Sequence, residues 1–579
     1  MFGFQLFRTF QPFQNPMGFG ASDFIELAFT ILLVVFAFFW RQWIEPYFLK
    51  LAYRPGWSML VLAALPIALR VFLLPGHPVP SPSVSDEFSH LLNADTLLHF
   101  RMANPTHPLH AFFETLDVLQ EPAYSSIYAI GQGAALAFGR LIFGHPWAGV
   151  VLSIAALCSL CYWMLRAWTT PGWAFAGALL VVFQFGPLNQ WMNSYWGGAV
   201  SATAGCLVFG SLPRLRRSAR MRDAALLGLG LAIQLLTRPY ESILLAGCVL
   251  LYFAPVLWQP EEMRRLLTAA PVVIAVVLPA IGLTLLQNRQ VTGSWTTLPY
   301  VLSRYEYGIP TTFTFQPNPL PHRELTSEQQ LEYRMQASFH GNDTDTFERY
   351  LQRLEYRVRF YRFFFFAPLY LALLIFFTAL RQWRFIWVLL SLIVFALGAN
   401  FYPFFFPHYI AAVTCLFVLA GTIGLERLSH LNMRGMPVGQ EAAAVILLIC
   451  TAHFLFWYGM HLFDNQPFSM ALRRYETWDW INHESPGGRN SINRQLAQVP
   501  GKQLVFVRYW PRHIFQDEWV SNAADIDGAR VVWARDAGAA EDEKLRRYYP
   551  GRKVWLLEPD ATPPKLSQFE RPLEGSASP

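Results

Sequence analysis

Apolar residues along this chain come in long blocks rather than short alternations. Stretches near the roughly 17–25 residues needed to cross a bilayer occupy 24–40, 57–74, 147–165, 172–188, 195–212, 242–258, 266–286, 363–380, 385–402, 408–425 and 442–463. A shorter run at 224–237 sits between a basic cluster and the next block and is counted with them. The pattern predicts about twelve membrane helices. The first is not a cleaved signal peptide, because its apolar run is long, Arg41 follows it, and no small-x-small cleavage site is visible.

The charges between the blocks give a direction. Arg214, Arg216, Arg217, Arg220 and Arg222 crowd loop 213–223, Arg381 and Arg384 flank the next short basic loop, and Arg264 and Arg265 lie in 259–265. Such loops belong on the cytoplasmic side. The region 75–126 carries Asp86, Glu87, Asp95, Glu114, Asp117 and Glu121 against the single Arg101, and belongs on the other side. Four apolar segments separate the two regions, whereas opposite sides require an odd number of crossings. The segment that does not cross is 127–143, which is interrupted by Gly131-Gln132-Gly133 and contains Arg140. It reads as a helix in the outer interface, where irregular backbone can be covered by protein.

Three regions then face outward: 75–146, 288–362 and 464–579. The second ends in an amphipathic helix that Asp345 can cap, with Glu348 three residues on and Phe347, Tyr350, Leu351, Leu354, Val358 and Tyr361 on one face. It is read as interfacial and as leading directly into the span at 363. In the tail, LVFVRYW, RVVWARD and KVWLLEPD read as three strands, with a helix near 540–549, enough for a small α/β domain. The expected organisation is an extra N-terminal helix and loop in 1–56, a membrane domain in 57–463 and an outer α/β domain in 464–579.

Composition agrees. Of 579 residues, 54% are apolar and only 15% are Asp, Glu, Lys or Arg. This excludes disordered, collagen-like and coiled-coil chains. The net charge of +6 fits basic cytoplasmic loops, and no basic stripe with interleaved aromatics points to nucleic acid. All six cysteines fall inside apolar blocks, which argues for packing rather than disulfides.

Candidate chemistry concentrates in 81–146. Asp86 and Glu87 open a helix in which Asp86, His90 and Asn93 share one polar face, with Ser85 as a plausible N-cap. Acids in a first turn also suit the helix dipole, so the pair has a purely structural reading too. The dipole would keep Asp86 ionised and make it a weak base in solution. His90, His99, His107 and His110 match no compact zinc pattern, and no cofactor is expected. Arg238 lies between two apolar runs, where it either pairs with Glu241 or binds an anion. His408 and Tyr409 begin a span after FYPFFFP. Asn189, Asn193, Tyr195 and Trp196 in NQWMNSYWGG either line a sugar site or cap two helices.

This layout resembles the GT-C superfamily of membrane glycosyltransferases, and within it the protein O-mannosyltransferases and lipid A aminoarabinose transferases. The resemblance covers roughly 57–425, and its sharpest motif is Asp86-Glu87. It implies a polyprenyl-phosphate sugar donor, an acceptor that the motif does not name, an inverting mechanism at the outer face of the cell membrane, and Asp86 as the catalytic carboxylate of the pair. A lipid phosphate leaves readily but needs positive charge near the membrane surface, which Arg238 or His408 can supply. The chain departs from the family at YSSIYAIGQG, where a Lys-Pro-Pro motif is common, and at NQWMNSYWGG, which has no aspartate and offers Asn193 instead. The competing reading is a transporter or flippase. Almost uncharged spans and the lack of a visible inverted repeat speak against it.

Overall fold

The structure is a computed structural model and describes residues 21–341, 345–463 and 488–569. Helices dominate. In chain order they begin with α1 (Ala21–Ala52), α2 (Pro55–Phe72), α3 (Ser85–Leu98), α4 (Ile130–Phe143), α5 (Trp147–Leu165) and α6 (Pro171–Phe185). Next come α7 (Ala199–Ser218), α8 (Met221–Thr237), α9 (Pro239–Phe253), α10 (Pro260–Thr292), α11 (Pro299–Tyr307) and α12 (Ser327–His340). Then follow α13 (Phe347–Arg357), α14 (Leu369–Phe376), α15 (Trp383–Ala399), α16 (Thr414–Ser429), α17 (Val438–Phe463), α18 (Arg489–Gln498) and α19 (Ala539–Tyr548). Strands β1 (Val118–Leu119) and β2 (Ser125–Ser126) form a small hairpin, while β3 (Gln503–Val507), β4 (Val531–Arg535), β5 (Lys553–Glu558) and β6 (Lys565–Gln568) belong to the C-terminal domain.

Seven helices among the described residues are long and apolar enough to cross a membrane, and one bent pair would make an eighth. The chain is a polytopic helical membrane protein with a small α/β domain. The count is lower than the twelve read from hydropathy, for local reasons. The block 172–188 folds as the 15-residue α6, because Gly186-Pro187 ends it. The block 385–402 yields the 17-residue α15, and 224–237 the 17-residue α8. The amphipathic helix does not run straight into its span: Phe347–Phe364 and Leu369–Arg381 meet at 114°, with Phe365 extended and Pro368 beside the break. Its cap is the hydroxyl of Thr346, which accepts from the N–H of Arg349. Asp345 instead pairs with Arg353 and accepts from Thr314 Oγ1 at 2.9 Å.

Segment 127–143 is the 14-residue α4, about 21 Å long at 1.5 Å per residue, too short for a hydrocarbon core of about 30 Å. It lies between α3 and α5 with its backbone almost touching theirs. A Cβ added at Gly139 would sit 2.0 Å from the amide nitrogen of Gly149, and one at Gly133 would sit 2.9 Å from Asn93 Cβ. Small residues permit this approach.

In the C-terminal domain the sheet order is β4-β3-β5-β6. The first three strands are parallel, with Gln503 opposite both Val531 and Lys553, and β6 pairs antiparallel to β5. The three expected strands and the helix near 540 are present; β6 and α18 were not foreseen. This domain packs on both loop regions: Phe113 and Tyr124 share a buried cluster with Phe506 and Val532, and the half-buried Phe515 packs against the cluster that holds Leu116 and Tyr307. The described parts of the three regions thus pack together.

Candidate active site at the loop face

The turn before α3 sets the geometry. Val84 is extended and precedes the helix, so Ser85 is its first residue rather than its cap. Ser85 Oγ donates to Asp117 Oδ2 at 2.6 Å. Asp86 projects from the first turn and accepts a hydrogen bond from the hydroxyl of Tyr128. One turn on, His90 stacks on the Tyr128 ring, with centroids 4.5 Å apart and planes at 25°. Asn93 Nδ2 donates to the carbonyls of Tyr128 at 3.2 Å and Ala129 at 3.3 Å. The shared face of Asp86, His90 and Asn93 is thus a seat for one residue, Tyr128. Gln287 Nε2 of α10 also donates to the Tyr128 carbonyl, at 2.8 Å.

Glu87 points the other way. Its Oε2 accepts from the N–H of Ser83 at 2.9 Å, and its Oε1 from the N–H of Tyr195 at 2.8 Å. Behind it, the Tyr195 hydroxyl donates to the Pro80 carbonyl at 2.9 Å. Asn193 is surrounded by protein partners: its Nδ2 donates to the Pro187 and Asn189 carbonyls, and its Oδ1 accepts from Arg70 Nε at 2.9 Å. Arg70 comes from α2 and also donates to the carbonyls of His77 and Pro78. Asn193 and Tyr195, which the sequence left open between lining a sugar site and capping helices, make these contacts within the turn that holds Glu87.

Arg238 opens α9. Its Nη1 lies 3.1 Å from Glu241 Oε1, and its guanidinium stands 4.8 Å from the centroid of the Tyr409 ring. Tyr409 meets His408 edge-on at 4.9 Å, and His408 lies parallel to Phe406 at 5.6 Å and edge-on to Trp196 at 5.8 Å. Tyr402 approaches Tyr409 at 5.9 Å and shares a hydroxyl–hydroxyl hydrogen bond with Tyr300. Arg238 and His408 thus share Tyr409, and the charge of Arg238 reaches Asp86 and His90.

The electrostatics differ from a simple first-turn aspartate. Burial raises Asp86 above the usual carboxylate range, while Tyr128 and Arg238 oppose the shift. Burial raises Asp117 well above that range, and the charge of Asp86 adds to it. Glu87 is raised to about 7 by burial, against three backbone N–H donors. Burial keeps His90 neutral, lowering it to about 3, with Arg238 adding to the effect. Glu332 of α12 joins the group, raised to about 7 chiefly by burial and also by Asp86. For Asp86, desolvation thus outweighs the groups that favour its charged form.

Among the described residues, three buried polar atoms around this group have no hydrogen-bond partner: His90 Nδ1, Glu332 Oε2 and Trp196 Nε1. Such atoms are costly unless something meets them. No three His, Cys, Asp or Glu side chains among the described residues are disposed to hold a metal ion. Sequence reasoning passed over the roles of Asp117, Tyr128, Arg70 and Glu332. Tyr128 lay within YSSIYAIGQG, and Arg70 was a lone cation in an apolar block, the one signal that could have marked it. Glu332 had none.

No family model matches the chain, and no curated protein matches it. Solved structures do. ArnT from Cupriavidus metallidurans bound to undecaprenyl phosphate is 11% identical with a TM-score of 0.48, covering 87% of this chain and 93% of ArnT. The same protein in the apo state is 13% identical with a TM-score of 0.47. The Archaeoglobus fulgidus oligosaccharyltransferase in complex with Zn and sulfate is 12% identical with a TM-score of 0.45, covering 86% of this chain and 67% of that one. At these identities the likeness is one of fold.

Proposed function

We propose that the chain is a membrane glycosyltransferase that moves a sugar from a polyprenyl-phosphate carrier to an acceptor hydroxyl at the outer face of the cell membrane. The observation that carries this reading is the placement of Asp86. It is half-buried, oriented by the Tyr128 hydroxyl, and set beside Arg238 at the start of α9.

In this mechanism the acceptor oxygen attacks the anomeric carbon and its proton passes to the Asp86 carboxylate. The bond from the anomeric carbon to the phosphate oxygen breaks, and its electron pair leaves with the polyprenyl phosphate. One attack from the face opposite the phosphate inverts the sugar carbon. A carboxyl whose pKa lies above its ordinary value is a better proton acceptor once ionised, which favours general-base catalysis near neutral pH. Arg238, backed by Tyr409, offers positive charge to the phosphate, with His408 beside it. His90 Nδ1 and Trp196 Nε1 are free to meet sugar hydroxyls. Glu87, Asn93, Asn193 and Tyr195 act by positioning.

The test is to incubate purified protein with a panel of polyprenyl-phosphate sugars and to measure release of the lipid phosphate. Release by wild type and its loss in Asp86→Asn supports the reading. Vectorial movement of the intact donor across vesicles without release would replace it with a flippase.

A further inference from the structure

The C-terminal domain touches the first loop region along α3, and the contacts bracket Asp86. Asp517 forms an antiparallel bridge with Val84, and the N–H of Glu518 donates to the Ser83 carbonyl at 3.0 Å. Farther along, the guanidinium of Arg489 stands 4.5 Å from the Phe88 ring and 4.5 Å from the Trp519 ring, and donates to the Glu518 carbonyl. At the end of the helix, the N–H of Ala524 donates to Asp95 Oδ2 at 2.7 Å. Glu518 is itself fixed. Its Oε1 accepts from the Tyr509 hydroxyl at 2.8 Å and from the N–H of Val520 at 2.7 Å, and its Oε2 accepts from Thr115 Oγ1. Segment 515–524 also reaches the second loop region, where Phe515 packs with Tyr307 and Ile309.

We propose that segment 515–524 is a clamp that sets the position of Asp86, with Arg489 and Glu518 as its positioning residues. The turn 83–87 is held from two sides. Glu87 ties it to Tyr195 of the membrane domain, and Asp517 and Glu518 tie its backbone to the soluble domain. These are directional bonds to the main chain of the two residues just before α3, which orient the helix start as well as bury surface. Arg489 and Glu518 are both 6% exposed, so the lock is dry and its hydrogen bonds resist competition from water. Reacting groups tolerate little displacement: an error of about 1 Å can cost about 10²-fold in rate. The soluble domain thus acts on the reaction without touching substrate.

The inference rests on Asp86 as the base, but it has a readout independent of turnover. In full-length protein, hydrogen exchange at residues 83–88 should rise about 5- to 10-fold in Thr115→Val and in Arg489→Met, the size expected for one lost hydrogen bond or a little more. Exchange in β3 and α5 should stay unchanged. Turnover should fall toward about 10²-fold with the donor KM within about 2-fold of wild type, and Arg489→Lys should recover part of it. Thr115→Val lies outside the C-terminal domain and keeps side-chain volume, so it decides the matter if Arg489→Met unfolds that domain. Unchanged exchange at 83–88 in Thr115→Val overturns the clamp, and so does an equal rise along the whole chain. If exchange rises as stated while Asp86→Asn retains full turnover, the clamp stands and the assignment of the base fails.

Discussion

Glu87 Oε1 accepts a 2.8 Å hydrogen bond from the backbone N–H of Tyr195, which joins the helix bearing the acidic pair to the loop before α7. The two acids are neighbours in sequence and opposites in role. Asp86 faces Tyr128, while Glu87 faces the main chain.

Glu87→Gln is therefore expected to act on stability first. An amide accepts through one oxygen only, so one of the N–H groups of Ser83 and Tyr195 loses its partner. A buried unsatisfied donor costs about 1–3 kcal/mol. The melting temperature should fall and turnover should drop modestly. An unchanged melting temperature together with a severe loss of turnover would move Glu87 into the chemistry.

Asp86→Asn keeps size and polarity but cannot take a proton as a carboxylate. Turnover should fall by about 10²–10⁴-fold, the usual contribution of a general base, with donor binding retained. Isothermal titration with the donor, beside the turnover assay, separates the two effects.

The pH profile carries a signed expectation. The base works only when ionised, so kcat/KM rises with pH as Asp86 loses its proton. Because burial raises Asp86, the acidic limb should lie above the ordinary carboxylate range. Tyr128→Phe removes a donor that favours the carboxylate, and Arg238→Ala removes a cation that does the same. Either change should shift the limb to still higher pH. A shift to lower pH would contradict the assignment.

Glu332 offers a stability test with the opposite trend. Its folded pKa is raised from 4.5 to about 7. Between these values the folded protein holds a proton that the unfolded chain has released. The contribution of Glu332 is thus fully present below the unfolded pKa and is lost as pH rises through about 7. The slope is at most about 1.4 kcal/mol per pH unit. Thermal melts in detergent from pH 5 to 8 should show Glu332→Gln with a flatter decline than wild type.

The direction of the chain in the membrane can be read with introduced thiols, since all six native cysteines are buried. Ser218→Cys, near the arginine cluster, and Ser491→Cys, on α18, are both at exposed positions. They should label from opposite sides of sealed vesicles. Labelling from the same side would reverse the argument from charge.

Hydropathy and charge by themselves determined the class of this protein. Apolar blocks of bilayer length dictate membrane helices, because in lipid every backbone polar group must be satisfied within its own segment. The parity of crossings between acidic and arginine-rich loops singled out 127–143, which folds as the 14-residue α4. The three parallel strands of the tail and the acidic pair at Asp86 were also legible as elements. What the tertiary structure decided is who faces whom. Hydropathy could not see that Pro368 and the extended Phe365 break a span at 114°. Helix periodicity put Asp86, His90 and Asn93 on one face but could not name Tyr128, some forty residues away, as the residue they hold. Nor could it tell that Asn193 would be taken up by Arg70, or that Glu332 would come to lie beside Asp86 from a loop more than two hundred residues on. The dipole argument for Asp86 is a local rule that assumes open water around the helix end, whereas the packing of distant loops half-buries the carboxyl and shifts it upward.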